Sequence, residues 1–299
     1  MSMRRYIAFS LFLVFASPAW AAGGVVLKMA TTTSTENSGL LDVLIPAFTE
    51  ETGIRVKVFA KGTGAALRDG MDGNVDVVFV HARKREERFV AEGYGAYRLG
   101  VMHNDFVILG PGRDPAGIKG MSQAALAFRK IAETRSHFVS RGDDSGTHTK
   151  EQALWRASGV HLSRKTTEIF RKGKKRTLTF LYPGGLGRWY LSIGQGMGKV
   201  LTFAEEKQAY TFSDRGTYLK FRYGRRQGLD LGILCQGDPV LYNPYGIIPL
   251  NPKRFPHVAF RQADRLARWL VSPHAQRLIA GYRIAGRQAF FPDALGNER

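Results

Sequence analysis

The segment Arg141-Gly142-Asp143-Asp144-Ser145-Gly146-Thr147-His148 has the residue types of an oxyanion trap. A guanidinium can fork two parallel donors onto an anion. Ser145 and Thr147 offer hydroxyls, and Gly146 offers an unobstructed N–H at what reads as a helix start, where backbone donors are unpaired. Asp143 and Asp144 cannot face an anion, so they are expected to orient Arg141 or to cap the helix. Thr31-Thr32-Thr33-Ser34-Thr35 is a second such segment. An N-cap needs one Ser or Thr, and five hydroxyls in a row exceed that need. The third, Gly62-Thr63-Gly64-Ala65-Ala66-Leu67, adds a hydroxyl between glycines that permit close backbone approach. No Gly-Lys-Ser/Thr follows it, so it is not a phosphate-cradling P-loop. The expected anion-binding residues are Thr32, Thr33, Ser34, Thr63, Gly64, Arg141, Ser145, Gly146 and Thr147.

Other chemically able residues read differently. Ser145, His148 and Asp144 have the types of a hydrolase triad, but they are nearly adjacent and no Gly-x-Ser-x-Gly elbow holds the serine. No catalytic residue is expected. His81 and His103, in or next to apolar strands, read as satisfied core residues rather than ligands. Arg215 is expected to pair with Asp214 or to cap a helix. Gln195 and Met197 lie in a glycine-rich turn that fits a cleft lining and a structural role equally. Cys235 is the only cysteine. It cannot make an internal disulfide, a zinc site or an iron–sulfur site, and it reads as a small buried side chain. No cofactor and no metal ion is expected. The three loops supply donors, and the strand end that might add an acid reads Val80-His81. A donor-only cleft suits a fully deprotonated tetrahedral dianion, because a protonated one would leave a polar group unpaired.

These loops need a scaffold that ends strands beside helix starts. Val25 to Ala30 reads as a strand, and Leu40, Leu41, Leu44, Ile45 and Phe48 recur at helical spacing. Ile54 to Phe59 alternates apolar and charged residues, as a half-buried strand does. A helix from Ala65 to Asp69 and a buried strand from Val75 to Val80 complete a βαβαβ start. That pattern implies an α/β fold with a mostly parallel sheet and helices on both faces. Phe106 to Gly112 reads as a first crossing to a second lobe, with a strand at His137–Ser140 and a helix at Thr147–Ala157. Ile233 to Pro249 reads as the return crossing. Helices at Ala263–Leu270 and Ala275–Ala280 close the first lobe. The expected division is 22–110 and 245–299 for lobe one, and 111–244 for lobe two.

The chain has 299 residues, with 44 Lys+Arg against 25 Asp+Glu, a formal net charge of +19. Charge argues about partners and solubility, not about fold. The segment 161–188 holds eight Lys/Arg and one acid, Glu168. It is expected to be a solvated surface loop. Arg4 and Arg5 precede an apolar run from Tyr6 to Ala16, and Pro18-Ala19-Trp20-Ala21 supplies small residues for cleavage after Ala21. This is the three-part pattern of a secretory signal peptide, 1–21, and it argues against a nucleic-acid role for the charge. The run is too short to cross a bilayer of about 30 Å.

The three loops resemble those of the periplasmic tungstate-binding proteins of ABC importers. The resemblance extends through AspValValPheValHisAlaArg at 76–83, AsnAspPheValIleLeuGlyPro at 104–111, SerArgGlyAspAspSerGlyThrHis at 140–148 and GlyGlnGlyMetGly at 194–198. SerAspArgGlyThrTyr at 213–218, GlyAspPro at 237–239, AsnProTyrGly at 243–246 and PhePheProAsp at 290–293 complete it. It implies a two-lobed, type II periplasmic binding protein fold, two crossing strands, and an oxyanion held in the cleft. It implies a monomer that delivers tungstate or molybdate to a membrane permease, without catalysis. Charge and shape alone leave tungstate, molybdate and other oxyanions open; only the resemblance favours tungstate. The chain departs from the family at 161–188, where relatives are shorter, and that departure leaves a secreted interaction protein as the reading from another class.

Overall fold

The computed structural model describes residues 26–171, 174–184, 188–224 and 226–294. The expected signal peptide at 1–21, with its cleavage after Ala21, lies outside the described residues, as do 172–173 and 185–187 of the basic insert.

The βαβαβ start is present. Strand β1 (Leu27–Thr32) leads into α1 (Thr33–Ser38) and α2 (Leu41–Thr52). Strand β2 (Val56–Lys61), α3 (Thr63–Met71), β3 (Val77–Val80) and α4 (Arg83–Ala91) follow. Strands β2, β1 and β3 are parallel neighbours. All four residues of β3 are buried, as a parallel strand covered on both faces requires. The two-residue period of a strand divides its side chains. Val77 and Phe79 pack with Leu27, Leu44 and Phe48 on one face; Val78 and Val80 pack with Ala66, Leu67 and Phe89 on the other.

The long strand β4 (Leu99–Gly110) carries the chain onward. Beyond it come α5 (Ala124–Glu133), β5 (Phe138–Ser140), α6 (Gly146–Ala157), β6 (Leu162–Arg171), β7 (Lys174–Pro183) and β8 (Tyr190–Ser192). Then follow α7 (Met197–Glu206), β9 (Tyr210–Asp214), α8 (Arg215–Tyr223), β10 (Gly232–Cys235) and β11 (Tyr242–Pro249). The main sheet runs β2-β1-β3-β11-β4-β9-β5-β8. The first part of β4, Leu99 to Asp105, pairs with β11, and its last part, Phe106 to Leu109, pairs with β9. One strand therefore belongs to both halves of the sheet. Beyond β4 the core is aromatic: Trp155 stands edge-on to Phe128 and Phe138 at 4.5 and 5.3 Å. Such pairs add about 0.5–1.5 kcal/mol each beyond their burial.

Helices α9 (Phe260–Leu270) and α10 (Pro273–Gly281) return to the first half. In α9, Ala263, Leu266, Ala267 and Leu270 are buried, the stripe that helical periodicity presents to a core. Among the described residues, no helix is long and apolar enough to cross a membrane.

The basic insert is not a loop. Strands β6 and β7 form an antiparallel hairpin in unbroken register from Leu162↔Pro183 to Arg171↔Lys174. It is fastened to α6. Gln152 Nε2 donates to the Leu181 carbonyl at 2.8 Å, and the Leu181 N–H donates back to Gln152 Oε1 at 2.7 Å. Phe180 is buried against the edge of the His148 ring. Runs rich in Thr, Ile, Phe and Leu on both sides of Gly173 have strand propensity, and the charge count hid them.

Candidate oxyanion site

Four strands end at one place. Thr33 follows β1, Gly62 follows β2, His81 follows β3 and Arg141 follows β5. The carboxyl ends of strands in open α/β sheets are where ligands bind. Thr32, Thr33, Ser34, Lys61, Gly62, Thr63, His81, Arg141, Ser145, Gly146 and Thr147 line a narrow, nearly closed cavity there. Of the nine residues expected from the sequence, eight line this cavity. Gly64 does not. A Cβ at Gly64 would lie 2.8 Å from Arg85 Nη2 and 2.9 Å from Asp144 Oδ2, so this glycine allows α3 to approach the facing loop.

Arg141 is 3% exposed. Its Nη2 donates to Asp143 Oδ2 at 2.7 Å, and Asp143 Oδ1 accepts the Ser145 N–H at 3.2 Å. Burial works against ionisation of Asp143, but the charge and hydrogen bond of Arg141 and the Ser145 bond hold its carboxyl below the usual range. The acid is thus engaged in orienting the guanidinium, as the residue order suggested. Arg141 Nη1 makes only a long contact with Thr147 Oγ1, 3.5 Å, and Nε, also buried, has no hydrogen-bond partner. A buried donor without an acceptor costs about 1–3 kcal/mol. An anion in the cavity would supply the missing acceptor. Gly142 makes the turn: its φ is +56°, and a Cβ there would collide with Ser192 Oγ.

The hydroxyl run divides its work. Thr31 Oγ1 donates to the Phe79 carbonyl at 2.7 Å and ties β1 to β3. Thr32 caps α1, its Oγ1 accepting the Thr35 N–H at 3.2 Å. Thr32 Oγ1 is also 2.6 Å from Thr35 Oγ1 and 3.0 Å from Ser34 Oγ. Ser145 caps α6 in the same way, accepting the His148 N–H at 3.2 Å. A capping oxygen keeps its own hydrogen free to donate.

His81 belongs to this cluster, although its sequence context read as core. It is buried, and its Nε2 is 3.1 Å from both Thr32 Oγ1 and Ser34 Oγ. Burial, opposed by the Asn243 hydrogen bond and reinforced by the Arg141 charge, pushes its pKa down to about 4. It is a neutral imidazole near neutral pH. The signal that would have found it is position: it follows the end of β3, beside the end of β1. Lys61 also lines the cavity and is paired with Asp69.

Two further corrections concern the surroundings. Arg215 does not pair with Asp214; it forks onto Asp105 with both contacts at 2.6 Å and reaches Gln236 at 2.9 Å. Asp214 itself caps α8. Gln195 does not line this cavity but does line a separate pocket with Glu36, Asn37, Lys199 and Phe203, and its backbone N–H donates to the Arg141 carbonyl at 3.1 Å, so both a lining and a structural role are present. His103 lies half-buried against Asp293 at 2.5 Å, away from the cavity. Cys235 is buried and unpaired.

A PBP superfamily domain profile matches residues 19–274. The chain belongs to the PBP superfamily. Within that superfamily it is 44% identical over 278 residues to the tungstate-binding protein TupA of Peptoclostridium acidaminophilum, covering 92% of this chain and 87% of the relative. The solved tungstate-binding protein TupA of Desulfovibrio alaskensis G20 is 42% identical, with a TM-score of 0.74, over 90% of this chain and 99% of that one. A tungstate ABC transporter structure from Geobacter sulfurreducens is 48% identical, with a TM-score of 0.71, over 86% and 98%. The α/β architecture described above carries the hairpin at 162–183 on its α6.

Proposed function

We propose that this protein captures a tetrahedral oxyanion, tungstate above all, outside the cytoplasm and delivers it to the membrane permease of an ABC importer. The observation that carries the reading is Arg141: a buried guanidinium with an unpartnered Nε–H, in a cavity lined by the hydroxyl residues Thr32, Thr33, Ser34, Thr63, Ser145 and Thr147; the Gly146 N–H, expected from the sequence to be free, is already given to Thr63 Oγ1. The relatives' names select tungstate among oxyanions of like charge and shape. The nearby carboxylate, Asp143, is engaged by Arg141 and Ser145, so a proton on phosphate would meet no free carboxylate. The function is binding without turnover. The triad types at 144–148 do not make a nucleophile, because Ser145 Oγ holds the His148 backbone N–H and His148 Nδ1 accepts the Asp144 N–H.

Calorimetric competition titrations at pH 7 and constant salt test the reading. Tungstate and molybdate should bind well above sulfate and phosphate. Equal affinity for phosphate and tungstate would overturn it. Export is tested by mass spectrometry of the periplasmic fraction, which should find a chain beginning at Ala22.

A further inference from the structure

The hydroxyls of the site are wired to a chain of polar groups behind it. His81 Nδ1 is 2.9 Å from Asn243 Oδ1. Asn243 Nδ2 donates to Asn104 Oδ1 at 2.6 Å, and Asn104 Nδ2 donates to Tyr245 OH at 3.3 Å. This order of amides leaves an oxygen facing the imidazole, so Nδ1 carries the proton. In a neutral ring the other nitrogen is then an acceptor. Nε2 therefore takes a hydroxyl hydrogen from Thr32 or Ser34, and that hydrogen is turned away from the cavity. The site is not donor-only as the loop sequences implied; it holds one acceptor, one bond behind the ligand.

We propose that His81 takes up a proton from solvent when the anion binds, and that the imidazolium, now a donor at Nε2, turns the hydroxyl hydrogen it had accepted from Thr32 or Ser34 onto the ligand. No other bond changes. The Nδ1–H bond to Asn243 serves both protonation states. This rests on the oxyanion reading above and goes beyond it by making His81 the positioning residue for the hydroxyls.

The charges around the ring favour this order of events. His81 stacks on Tyr245 at 4.7 Å and faces Phe106 at 6.4 Å, which supply no charge. Across the cavity stand Arg141, neutralised in part by Asp143, and Lys61, paired with Asp69. Asp144 and Arg85 pair with each other at the edge of the cleft, 3.8 Å apart. Asp214 is buried beyond Tyr245 and caps α8. No carboxylate is hydrogen-bonded to His81 among the described residues, so an imidazolium is opposed by burial and by Arg141 until an anion arrives. A dianion reverses the local sign, and an opposite charge within hydrogen-bonding range of the same hydroxyls raises the ring's proton affinity. Burial pushes the pKa of the ligand-free ring down to about 4. Above that pH, binding should consume a proton, and affinity should rise as pH falls, by at most about tenfold per pH unit.

The test is calorimetric titration of the exported protein with sodium tungstate at pH 6 and 7, in buffers of different ionisation enthalpy. The slope of observed heat against buffer enthalpy counts protons. Tungstate carries none at these pH values, so uptake belongs to the protein. The expected slope is a net uptake of up to one proton per anion, larger at pH 6 than at pH 7, and His81→Gln should bind more weakly with a slope near zero. Tight binding by the unaltered protein with a zero slope at both pH values overturns the His81 proposal and leaves the function intact. A slope that persists in His81→Gln overturns it as well. Absence of tungstate binding overturns the function and the proposal with it.

Discussion

Gly146 donates its backbone N–H to the Thr63 hydroxyl oxygen at 3.2 Å. The two residues are 83 positions apart and open α6 and α3, which stand on different halves of the sheet. A Cβ at 146 would lie 3.0 Å from that oxygen and 3.4 Å from His81 Cε1. Glycine is favoured here by tight contact, not by backbone angle. The bond closes the two halves over the cavity, and lobe closure by hinge motion is the usual way such proteins enclose a ligand.

Thr63→Val keeps the shape of the side chain and removes the hydroxyl. One neutral hydrogen bond is worth about 0.5–1.5 kcal/mol, so tungstate affinity should fall by about 2- to 12-fold. Titration calorimetry reads the affinity. Small-angle scattering with saturating tungstate should show the variant less compact than the unaltered protein. Unchanged affinity and compaction would mean that the bond plays no part in closure.

Arg141→Ala removes the guanidinium. A hydrogen bond to a charged group is worth about 1.5–3 kcal/mol, which corresponds to a loss of about 10- to 150-fold in affinity. The change also strands Asp143, which is 4% exposed, so stability should be measured beside affinity. Adding Asp143→Asn should restore the stability and not the binding. Arg141→Lys should recover part of the affinity only, since a single ammonium cannot fork. A variant with native melting behaviour and native affinity would rule Arg141 out.

Glu151 carries a pH prediction. It is buried within α6, accepting from Ser140 Oγ at 2.7 Å, Tyr190 OH at 2.8 Å and Trp155 Nε1 at 3.1 Å. Burial outweighs these bonds and raises its pKa from 4.5 to about 7. An acid whose folded pKa is raised favours the folded state below the unfolded pKa. That contribution is lost as pH rises from about 4.5 through 7. Glu86, buried beside Arg98, is raised to about 7 as well and acts in the same direction. Urea unfolding at pH 5.5 and pH 8 should therefore show lower stability at pH 8. Glu151→Gln should shrink the difference by roughly 1–3 kcal/mol. An unchanged difference would assign the pH dependence elsewhere.

The hairpin should be separable from the site at its outer end. Its charges are screened beyond about 8 Å at physiological salt. Deleting 166–179 while retaining Phe180 and Leu181 should leave tungstate affinity within about threefold. Gln152→Ala removes both bonds to Leu181. It should lower stability by about 1–3 kcal/mol, since buried backbone groups lose partners. A large affinity loss from the deletion would show that the hairpin shapes α6 and, through its first turn, the anion loop.

The sequence by itself determined the α/β class, the parallel β1–β3 start, the three loops and most of the residues around the cavity; that β11 and β4 run antiparallel to their neighbours, making the sheet mixed rather than mostly parallel, was decided by the tertiary structure. Those signals are local. Apolar periodicity marks β3 and α9, and a run of hydroxyls or an Arg-x-x-x-Ser-Gly-Thr order is legible without knowing what it faces. Some roles were also legible locally, such as Asp143 holding Arg141 two residues away. Only the tertiary structure decided the rest, because the deciding contacts join distant positions. His81 meets Asn243 across 162 positions, so its place beside Thr32 and Ser34 left no mark in the residues around it. Arg215 chose Asp105, 110 positions away, over its neighbour Asp214, which a helix cap already engaged. Gly64 looked like a ligand loop residue, and it lies instead outside the cavity lining, close to the side-chain ends of Arg85 and Asp144. The hairpin was masked by its charge, since the lysines and arginines of a strand's solvent face read like those of a loop until pairing shows which backbone groups they border.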